Sequence, residues 1–235
     1  MNNLAHKIKK IPLVILKIIG FIFIKKLFFR VKEYNKQKHK GKSYILCPNH
    51  TSDGDGPIFW ASHQNIRIMA KKQCFKNKIF GAFLKSINVV PVNRGSTTSQ
   101  ALAIKQAVKY LNNAKEPSVY LMFPQGTISD INKNTVKMVK DGAFKIAKCT
   151  KRPIIPVFIE QPQPFKKCRI VYGNEIWIED NNIDNQNQKI KKEELNKYKE
   201  ILLQSILELQ EEAKKLEKRP LNKLKLSEVH RNNNR

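Results

Sequence analysis

The stretch from Ser43 to Gly56 reads SYILCPNHTSDGDG, in which a short apolar run is stopped by a proline and followed by a polar, glycine-rich segment. A short apolar run bounded in this way predicts a buried β-strand. His50 comes two residues after Pro48, just beyond the end of that strand. Because α/β domains place their active sites at the carboxyl ends of strands, the stretch predicts a strand of the central sheet and a candidate functional histidine.

Apolar runs of similar length recur along the chain and alternate with segments of helical spacing. The further strand candidates are residues 66–70, 89–92, 118–123 and 154–159. Between these runs, apolar residues recur every three or four positions over residues 101–111 and, more loosely, over residues 138–147. The alternation predicts an α/β fold with a single mixed sheet flanked by helices.

The chain is predicted to have three regions. A polar break at residues 181–189 precedes an apolar stripe from Leu195 to Leu216, which predicts an amphipathic helix that ends before Pro220. The predicted regions are N-terminal membrane-interface helices with a basic linker at 1–40, an α/β domain at 41–180, and the C-terminal amphipathic helix with a basic tail at 181–235.

The composition limits the possible partners. The 235 residues include 45 Lys and Arg against 19 Asp and Glu, which gives a formal net charge of +26, and 41% of the residues are hydrophobic. This composition excludes a disordered basic tail and a multispan membrane protein. So large a positive charge favours polyanionic partners, which are nucleic acid, an anionic membrane surface or phosphorylated substrates.

The cysteines do not suggest a metal site or a disulfide framework. Four cysteines lie far apart, with no C-x-x-C pair and no histidine at metal-ligand spacing from any of them. We therefore expect reduced structural thiols and no metal ligands.

An apolar segment near the N-terminus predicts membrane contact. Residues 11–24 are apolar except for Lys17, and Lys25 and Lys26 follow at once. A spanning helix needs about 20 apolar residues, and no small-residue cleavage site follows, so neither a span nor a secretory signal is predicted. Basic residues on both sides favour an interfacial anchor on the cytoplasmic face of the cell membrane, with a helix packed on the core as the alternative.

The polar segment after the first strand contains a possible general base. Asp55 follows His50 by five residues, and Gly54 and Gly56 permit the sharp turn that would bring the two side chains together. A carboxylate bonded to one ring nitrogen orients the imidazole and leaves the other nitrogen to accept a proton from a hydroxyl. Asp53 competes for the orienting role, and a helix-capping aspartate beside a loop histidine is the alternative.

Two further loops at strand ends could bind an anion. Gly126 would let backbone N–H groups approach a ligand closely, and Thr127 adds a hydroxyl. Arg94 follows the strand that ends at Val92, and a guanidinium suits bidentate phosphate binding. The alternatives are an ordinary turn and a solvated surface arginine.

Four sequence blocks in order resemble those of the glycerolipid acyltransferases that make phosphatidic acid from lysophosphatidic acid. The blocks are Asn49-His50 with Asp55, Val92-Asn93-Arg94, Phe123-Pro124-Gln125-Gly126-Thr127, and Ile154-Ile155-Pro156-Val157. Connecting segments, among them Ala70-Lys71, are also similar, so that the resemblance covers residues 43–173.

The resemblance implies a membrane-bound acyltransferase without a covalent acyl-enzyme, a metal or a resident cofactor. His50 would deprotonate the acceptor hydroxyl and Asp55 would orient it. The acceptor phosphate would be bound by Arg94, Gln125, Gly126 and Thr127. Pro156 would shape the acyl-donor side. The implied partners are a lysophospholipid acceptor, acyl-coenzyme A or acyl carrier protein as donor, and an anionic membrane surface.

The chain departs from the family pattern at three positions. Gln125 and Ile128 stand where the family usually has Glu and Arg, and Asn93 stands where it usually has Asp. The departures leave the acceptor head group open. They also leave two alternatives, a membrane-binding relative that has lost catalysis and a basic nucleic-acid-binding protein. Nucleic acid is not the expected partner, because the aromatic residues cluster in apolar runs and are not interleaved with basic residues.

Overall fold

A mixed sheet of seven strands forms the centre of the chain in the computed structural model, which describes residues 19, 21–87, 89–93, 95–133, 138–179, 183–184 and 189–218. In chain order its strands are β1 (Val31–Tyr34), β2 (Tyr44–Pro48), β3 (Ile66–Lys71), β4 (Val90–Val92), β5 (Val119–Leu121), β6 (Ile154–Ile159) and β7 (Cys168–Tyr172). A separate short pair is formed by β8 (Ile183–Asp184) and β9 (Lys189–Ile190).

Helices connect these strands. Within the described residues they are α1 (Asp55–Ser62), α2 (Lys78–Ser86), α3 (Thr97–Asn112), α4 (Gly142–Thr150) and α5 (Lys192–Lys218). A π-helix at Phe21–Phe28 precedes β1, and short 3₁₀ helices occur at Lys36–His39, Lys72–Phe75 and Ile131–Lys133.

The strands lie in the order β1-β7-β6-β2-β5-β3-β4. β2 is parallel to both β5 and β6, and β3 is parallel to both β5 and β4, so these five strands end at the same edge of the sheet. β7 is antiparallel to β6, and β1 is parallel to β7. The sheet is therefore mixed, and its carboxyl edge carries the loops that follow β6, β2, β5, β3 and β4.

Alternate residues of the central strands face two hydrophobic cores. In β2, Ile45 and Cys47 join a core with α3, α4 and α5, whereas Tyr44 and Leu46 join a core with α1 and α2. Every residue of β2 and β6 is buried, as expected of parallel strands covered on both faces. The prediction of an α/β fold with a single mixed sheet flanked by helices is confirmed.

Two strands of the sheet, β1 and β7, were not predicted. β1 lies within residues 1–40, which were predicted to form membrane-interface helices and a basic linker. Its sequence, VKEY, is too short and too charged to show a strand period, and its place is set by pairing with β7, from Val31 with Cys168 to Tyr34 with Val171. The sheet thus extends into the N-terminal region.

Glu33 of β1 is the centre of a buried network of charged and polar side chains. Lys25 of the π-helix forms an ion pair with its carboxylate, Lys36 Nζ lies 3.1 Å from Oε1, and the Tyr172 hydroxyl donates a 2.8 Å hydrogen bond to Oε1. Lys36 also donates to the carbonyl of Ser62 at 2.5 Å. Burial alone would raise the pKa of Glu33, but Lys36 and Lys25 outweigh it and hold the pKa at about 2. The network joins the π-helix to β1, β7 and α1.

The two ends of the chain are only partly described. Of the predicted interface segment, residues 11–18 and residue 20 lie outside the described residues, and so does the predicted basic tail beyond residue 218. In the part of the chain that the structure describes, no helix has the length and apolar character needed to cross a bilayer. Helix α5 packs against β6 and β7 through buried residues of the predicted stripe, which include Tyr198, Leu202, Ile206, Leu209 and Ala213.

Candidate active site

The loops that follow β2 and β5 meet at the carboxyl edge of the sheet, because these two strands are neighbours. The Ser129 N–H donates a 3.0 Å hydrogen bond to the carbonyl of His50. The His50 ring stacks on the Phe123 ring, with centroids 3.9 Å apart and planes inclined by 17°. The structure therefore brings together two of the three predicted loops, those after β2 and β5. The Phe123 ring packs against one face of the His50 ring.

His50 and Asp55 are in direct contact. Nδ1 of His50 lies 2.9 Å from Oδ2 of Asp55, and the Asp55 side chain is fully buried. Because a carboxylate only accepts hydrogen bonds, Nδ1 carries the proton and Nε2 is left as the acceptor. Asp53, the competing candidate, is exposed. The geometry thus selects Asp55 as the residue that orients His50.

Thr51 and Ser52 complete the hydrogen bonding of Asp55. Their backbone N–H groups donate to Oδ2 at 2.7 and 3.0 Å, and their hydroxyls donate to Oδ1 at 3.1 Å each. Together with His50, the carboxylate accepts five hydrogen bonds, which stabilise its charged form in a buried position. No role was predicted for Thr51 or Ser52, although both lie between His50 and Asp55 in the sequence.

Asn49 fixes the start of this turn. Its side-chain amide donates to the carbonyl of Ile159 at 2.9 Å, and its oxygen accepts the N–H of Ile159 at 2.7 Å. The side chain is buried, and the pair of bonds continues the β2–β6 ladder beyond the last backbone pairing. The position of His50 is therefore tied to two strands of the sheet.

The loop after β5 forms a tight turn. Gly126 has a φ of +74°, which favours glycine, and its N–H donates to the carbonyl of Phe123 at 3.0 Å and so closes the turn. That the loop binds a ligand through other backbone N–H groups stays a prediction. Thr127 is exposed.

Gln125 is the most informative residue of this loop. Its side chain is 4% exposed, and its Oε1 atom is buried without a hydrogen-bond partner among the described residues. A buried amide oxygen without a donor is costly unless a ligand or a neighbouring cation supplies one. The oxygen is therefore a buried acceptor near the carboxyl edge whose hydrogen-bonding capacity no described residue uses.

Arg94 lies outside the described residues, so its predicted contact with the other loops has no structural description. Its strand, β4, is separated from β2 by β5 and β3, which corresponds to about 14 Å at about 4.8 Å per strand. Lys71, the exposed last residue of β3, lies between them in the sheet order. Lys71 lies in one of the connecting segments that resemble the family. Only the strand order shows that its strand, β3, lies between β5 and β4, whose loops contain Gln125 and Arg94.

Pro156 does not lie at the carboxyl edge. It is buried within β6, opposite Cys47, and its carbonyl accepts the N–H of Gly173 at 2.9 Å. A methyl group at residue 173 would approach the Pro156 ring to 2.8 Å, so the proline packs closely inside the sheet. The expected role of Pro156 on the acyl-donor side has no support in these contacts.

Two of the four cysteines are buried and poorly suited to act as nucleophiles. Burial raises the pKa of the Cys47 thiol well above its usual range and that of the Cys168 thiol to about 12, so neither is a ready nucleophile. Among the residues that the structure describes, no group of three or more His, Cys, Asp or Glu side chains could hold a metal ion. The other two cysteines, Cys74 and Cys149, are exposed.

Comparison with known proteins identifies relatives of the same kind. A family model described as Acyltransferase matches residues 29–160. The 1-acyl-sn-glycerol-3-phosphate acyltransferase of Bacillus subtilis is 31% identical over 140 residues, which cover 58% of this chain and 66% of the relative. The protein with the same name from Streptococcus pneumoniae is 30% identical over 155 residues, which cover 62% of this chain and 54% of the relative. The chain thus matches less than two thirds of the length of either relative.

One solved structure shows the same fold. The crystal structure of the 1-acyl-sn-glycerophosphate (LPA) acyltransferase PlsC from Thermotoga maritima superposes with a TM-score of 0.61 at 23% identity, covering 88% of this chain and 83% of that one. The family match spans more than half of the chain and includes the His50 turn, the β5 loop and all of β6. The chain belongs to the acyltransferase family.

Proposed function

We propose that this chain transfers a fatty acyl group from an acyl thioester to the free hydroxyl of lysophosphatidic acid and so forms phosphatidic acid. The observation that carries the proposal is the His50–Asp55 pair, 2.9 Å apart at the carboxyl edge of the sheet. The names of the Bacillus and Streptococcus relatives point to the same reaction.

The chemistry follows from the two ring nitrogens of His50. Nε2 takes the proton of the acceptor hydroxyl while the hydroxyl oxygen attacks the carbonyl carbon of the thioester. The carbonyl oxygen carries the negative charge of the tetrahedral intermediate, which collapses with loss of the thiolate. The imidazolium then returns its proton to the leaving sulfur. Asp55 holds the ring in position and stabilises the imidazolium while it exists.

Acceptor binding is proposed for the loops beside His50. Arg94, with Gln125, Gly126 and Thr127, is proposed to bind the acceptor phosphate, and Lys71 adds a cation between them in the strand order. The N–H of Gly126 is occupied in the turn, so its part is to shape the loop. Gln125 contributes Oε1, which has no partner among the described residues and is proposed to accept a hydrogen bond from lysophosphatidate or from Arg94.

The donor is proposed to be acyl-coenzyme A or acyl carrier protein, used as a co-substrate, with no resident cofactor or metal. Attachment to the cytoplasmic face of an anionic membrane completes the proposal, because the acceptor resides in the bilayer and the chain carries a net charge of +26.

A direct assay tests the proposal. Purified full-length chain would be incubated with lysophosphatidate and with each acyl donor in turn, and phosphatidate would be detected by mass spectrometry. Formation of phosphatidate with either donor supports the proposal. Acylation of a different lysophospholipid would change the acceptor, and no acyl transfer from either donor would support a membrane-binding relative without catalysis.

The Arg94→Ala substitution is expected to raise the KM for the acceptor and to leave the KM for the donor nearly unchanged. The removed contact is charge-assisted and worth about 1.5–3 kcal/mol, which corresponds to roughly 10- to 150-fold in KM. Steady-state kinetics with each substrate varied separately would measure both constants. A rise in the donor KM alone would place Arg94 on the thioester side.

The Gln125→Glu substitution is expected to keep or raise activity. Oε1 of Gln125 is a buried acceptor without a donor among the described residues, and a carboxylate at this place is proposed to hold a cationic side chain of the acceptor site more strongly than the amide does. If the side chain faced the phosphate directly, the new charge would repel the acceptor. A large rise in the acceptor KM of this variant would therefore contradict the supporting role.

A further inference from the structure

The loop between β6 and β7 exposes a large aromatic side chain. Phe165 is 69% exposed, and its backbone has a φ of +62°, a region that bulky residues rarely adopt. Its N–H donates a 2.6 Å hydrogen bond to the carbonyl of Phe28, and the two rings lie 5.5 Å apart. The chain thus holds an apolar ring in an unfavourable backbone conformation where it remains in solvent, an arrangement that suggests a role outside folding.

The π-helix beside this loop exposes a row of large apolar side chains. Ile22, Phe23 and Leu27 are between 47% and 59% exposed, and the Phe23 ring stacks at 6.1 Å on Phe28, the residue that contacts Phe165. We call the surface formed by Ile19, Ile22, Phe23, Leu27 and Phe165 the docking face. It joins two segments that are more than 130 residues apart in the sequence, so only the fold brings them together.

Basic residues accompany both parts of the docking face. The exposed residues are Lys26, Arg30 and Lys32 beside the π-helix and Lys166 and Lys167 beside Phe165. From residue 19 to residue 33 the sequence has one acidic residue, Glu33, and its carboxylate is turned into the buried network. Apolar side chains with adjacent positive charges suit an anionic lipid surface, which offers an apolar interior beneath negative head groups.

The docking face adjoins the candidate active site. The β6–β7 loop leaves the sheet at the carboxyl end of β6, next to β2, whose own carboxyl end leads to His50. Phe29 follows Phe28 and packs on the turn between His50 and Asp55. Its ring lies 3.3 Å from the position that a Cβ atom on Gly54 would occupy. A surface held against a bilayer here would bring His50 near the head-group region.

We propose that Phe165, Lys166 and Lys167 form a second membrane contact, which enters an anionic bilayer surface together with the exposed face of the π-helix. Two contacts fix the orientation of the domain on the membrane, whereas one helix alone leaves the domain free to rotate about its attachment. The inference rests on the membrane attachment in the proposed function and adds to it a site outside the N-terminal segment.

Tryptophan fluorescence tests this contact directly. The full-length Phe165→Trp variant would be mixed with phosphatidylglycerol vesicles whose acyl chains carry bromine, which quenches indoles that enter the bilayer. The chain contains internal references, since Trp60 is buried and Trp177 is exposed beyond β7 at the opposite edge of the sheet. We expect the indole added at residue 165 to be quenched and shifted to shorter wavelength, while the parent chain changes little.

Vesicle affinity gives a second measurement. Phe165→Ser is expected to weaken binding to phosphatidylglycerol vesicles by about tenfold, because the loss of an inserted phenyl ring removes apolar burial. The control is Trp177→Ser, which removes an aromatic side chain of similar exposure at the opposite edge and should leave the affinity unchanged.

The outcomes separate this inference from the membrane attachment itself. If the parent chain binds vesicles but the indole at residue 165 is not quenched and Phe165→Ser binds normally, the second contact is wrong and the N-terminal attachment stands. If the parent chain fails to bind anionic vesicles, both are wrong. Acyl transfer to a short-chain, soluble acceptor remains a separate test of the catalytic proposal in either case.

Discussion

The His50→Ala substitution is expected to lower kcat by about 10²- to 10⁴-fold, the usual contribution of general acid–base catalysis. His50 forms the one ion pair that Asp55 has among the described residues. Its ring is 14% exposed, so Nε2 can reach a substrate hydroxyl at the carboxyl edge of the sheet. The measurement is single-turnover acyl transfer at saturating substrate, with circular dichroism to show that the variant folds.

Asp55→Asn extends this prediction to the pair. The amide keeps the shape of the side chain but cannot hold the same tautomer of His50 or stabilise its imidazolium. Because the two residues act as a unit, the double variant should be little worse than His50→Ala alone. Asp53→Ala is the matched control, since that carboxylate is exposed two residues away and should keep most of the activity. A severe loss in Asp53→Ala together with an active Asp55→Asn would contradict the assignment.

The second large effect is expected on stability. Glu33→Gln should lower the free energy of unfolding by about 3–5 kcal/mol, because it leaves Lys25 and Lys36 beside a neutral amide in a buried place. Urea unfolding at pH 7 would measure the change. The control is Glu211→Gln, which removes half of an ion pair whose two side chains are more than half exposed, and such pairs contribute about 0–1 kcal/mol. Equal effects of the two substitutions would show that the Glu33 network does not stabilise the fold.

The pH dependence provides an independent check of Glu33. Its pKa is about 2 in the folded chain against an ordinary value of 4.5, so the unfolded chain binds more protons between these values. The stability that Glu33 contributes is therefore complete above pH 4.5 and is lost as the pH falls toward 2. His63, whose pKa is lowered to about 3 by burial and by Lys36, adds its own loss between pH 6.5 and 3. Subtraction of the Glu33→Gln curve from that of the parent chain gives the contribution of Glu33 together with its effect on His63, whose pKa Glu33 raises.

Much of the fold could be predicted from local pattern. β2 and β6 are continuous apolar runs bounded by turn residues, and the helices between strands show regular spacing. β1 could not be predicted, since four residues that include a lysine and a glutamate show no period, and the strand exists because β7 offers an unpaired edge. Edge strands depend on a distant partner, which a single segment of sequence does not reveal.

The candidate site likewise has some features that local sequence predicts and others that depend on the fold. The contact between His50 and Asp55 was expected, since a turn at Gly54 would bring together two residues five positions apart. The turn does not use the conformational freedom of glycine, because Gly54 has an ordinary helical φ of −72°. The stacking of Phe123 under the histidine ring depends on β5 lying beside β2, a matter of strand order that local sequence does not encode. The donors of Thr51 and Ser52 depend on side-chain rotamers within the turn, which spacing alone does not fix.

The packing of Phe29 on Gly54 has a consequence for how the chain senses its surroundings. The Phe29 ring, which follows the π-helix, packs against the turn that contains Asp55, so the proposed membrane segment and the proposed proton-transfer pair are in contact. If lipid binding moves the end of the π-helix, the position of the carboxylate moves with it. By thermodynamic reciprocity, a substrate that stabilises one arrangement of the turn then changes the affinity for lipid by the same factor. If the proposed membrane attachment holds, we expect interfacial activation, in which the rate of acyl transfer rises when a bilayer is present.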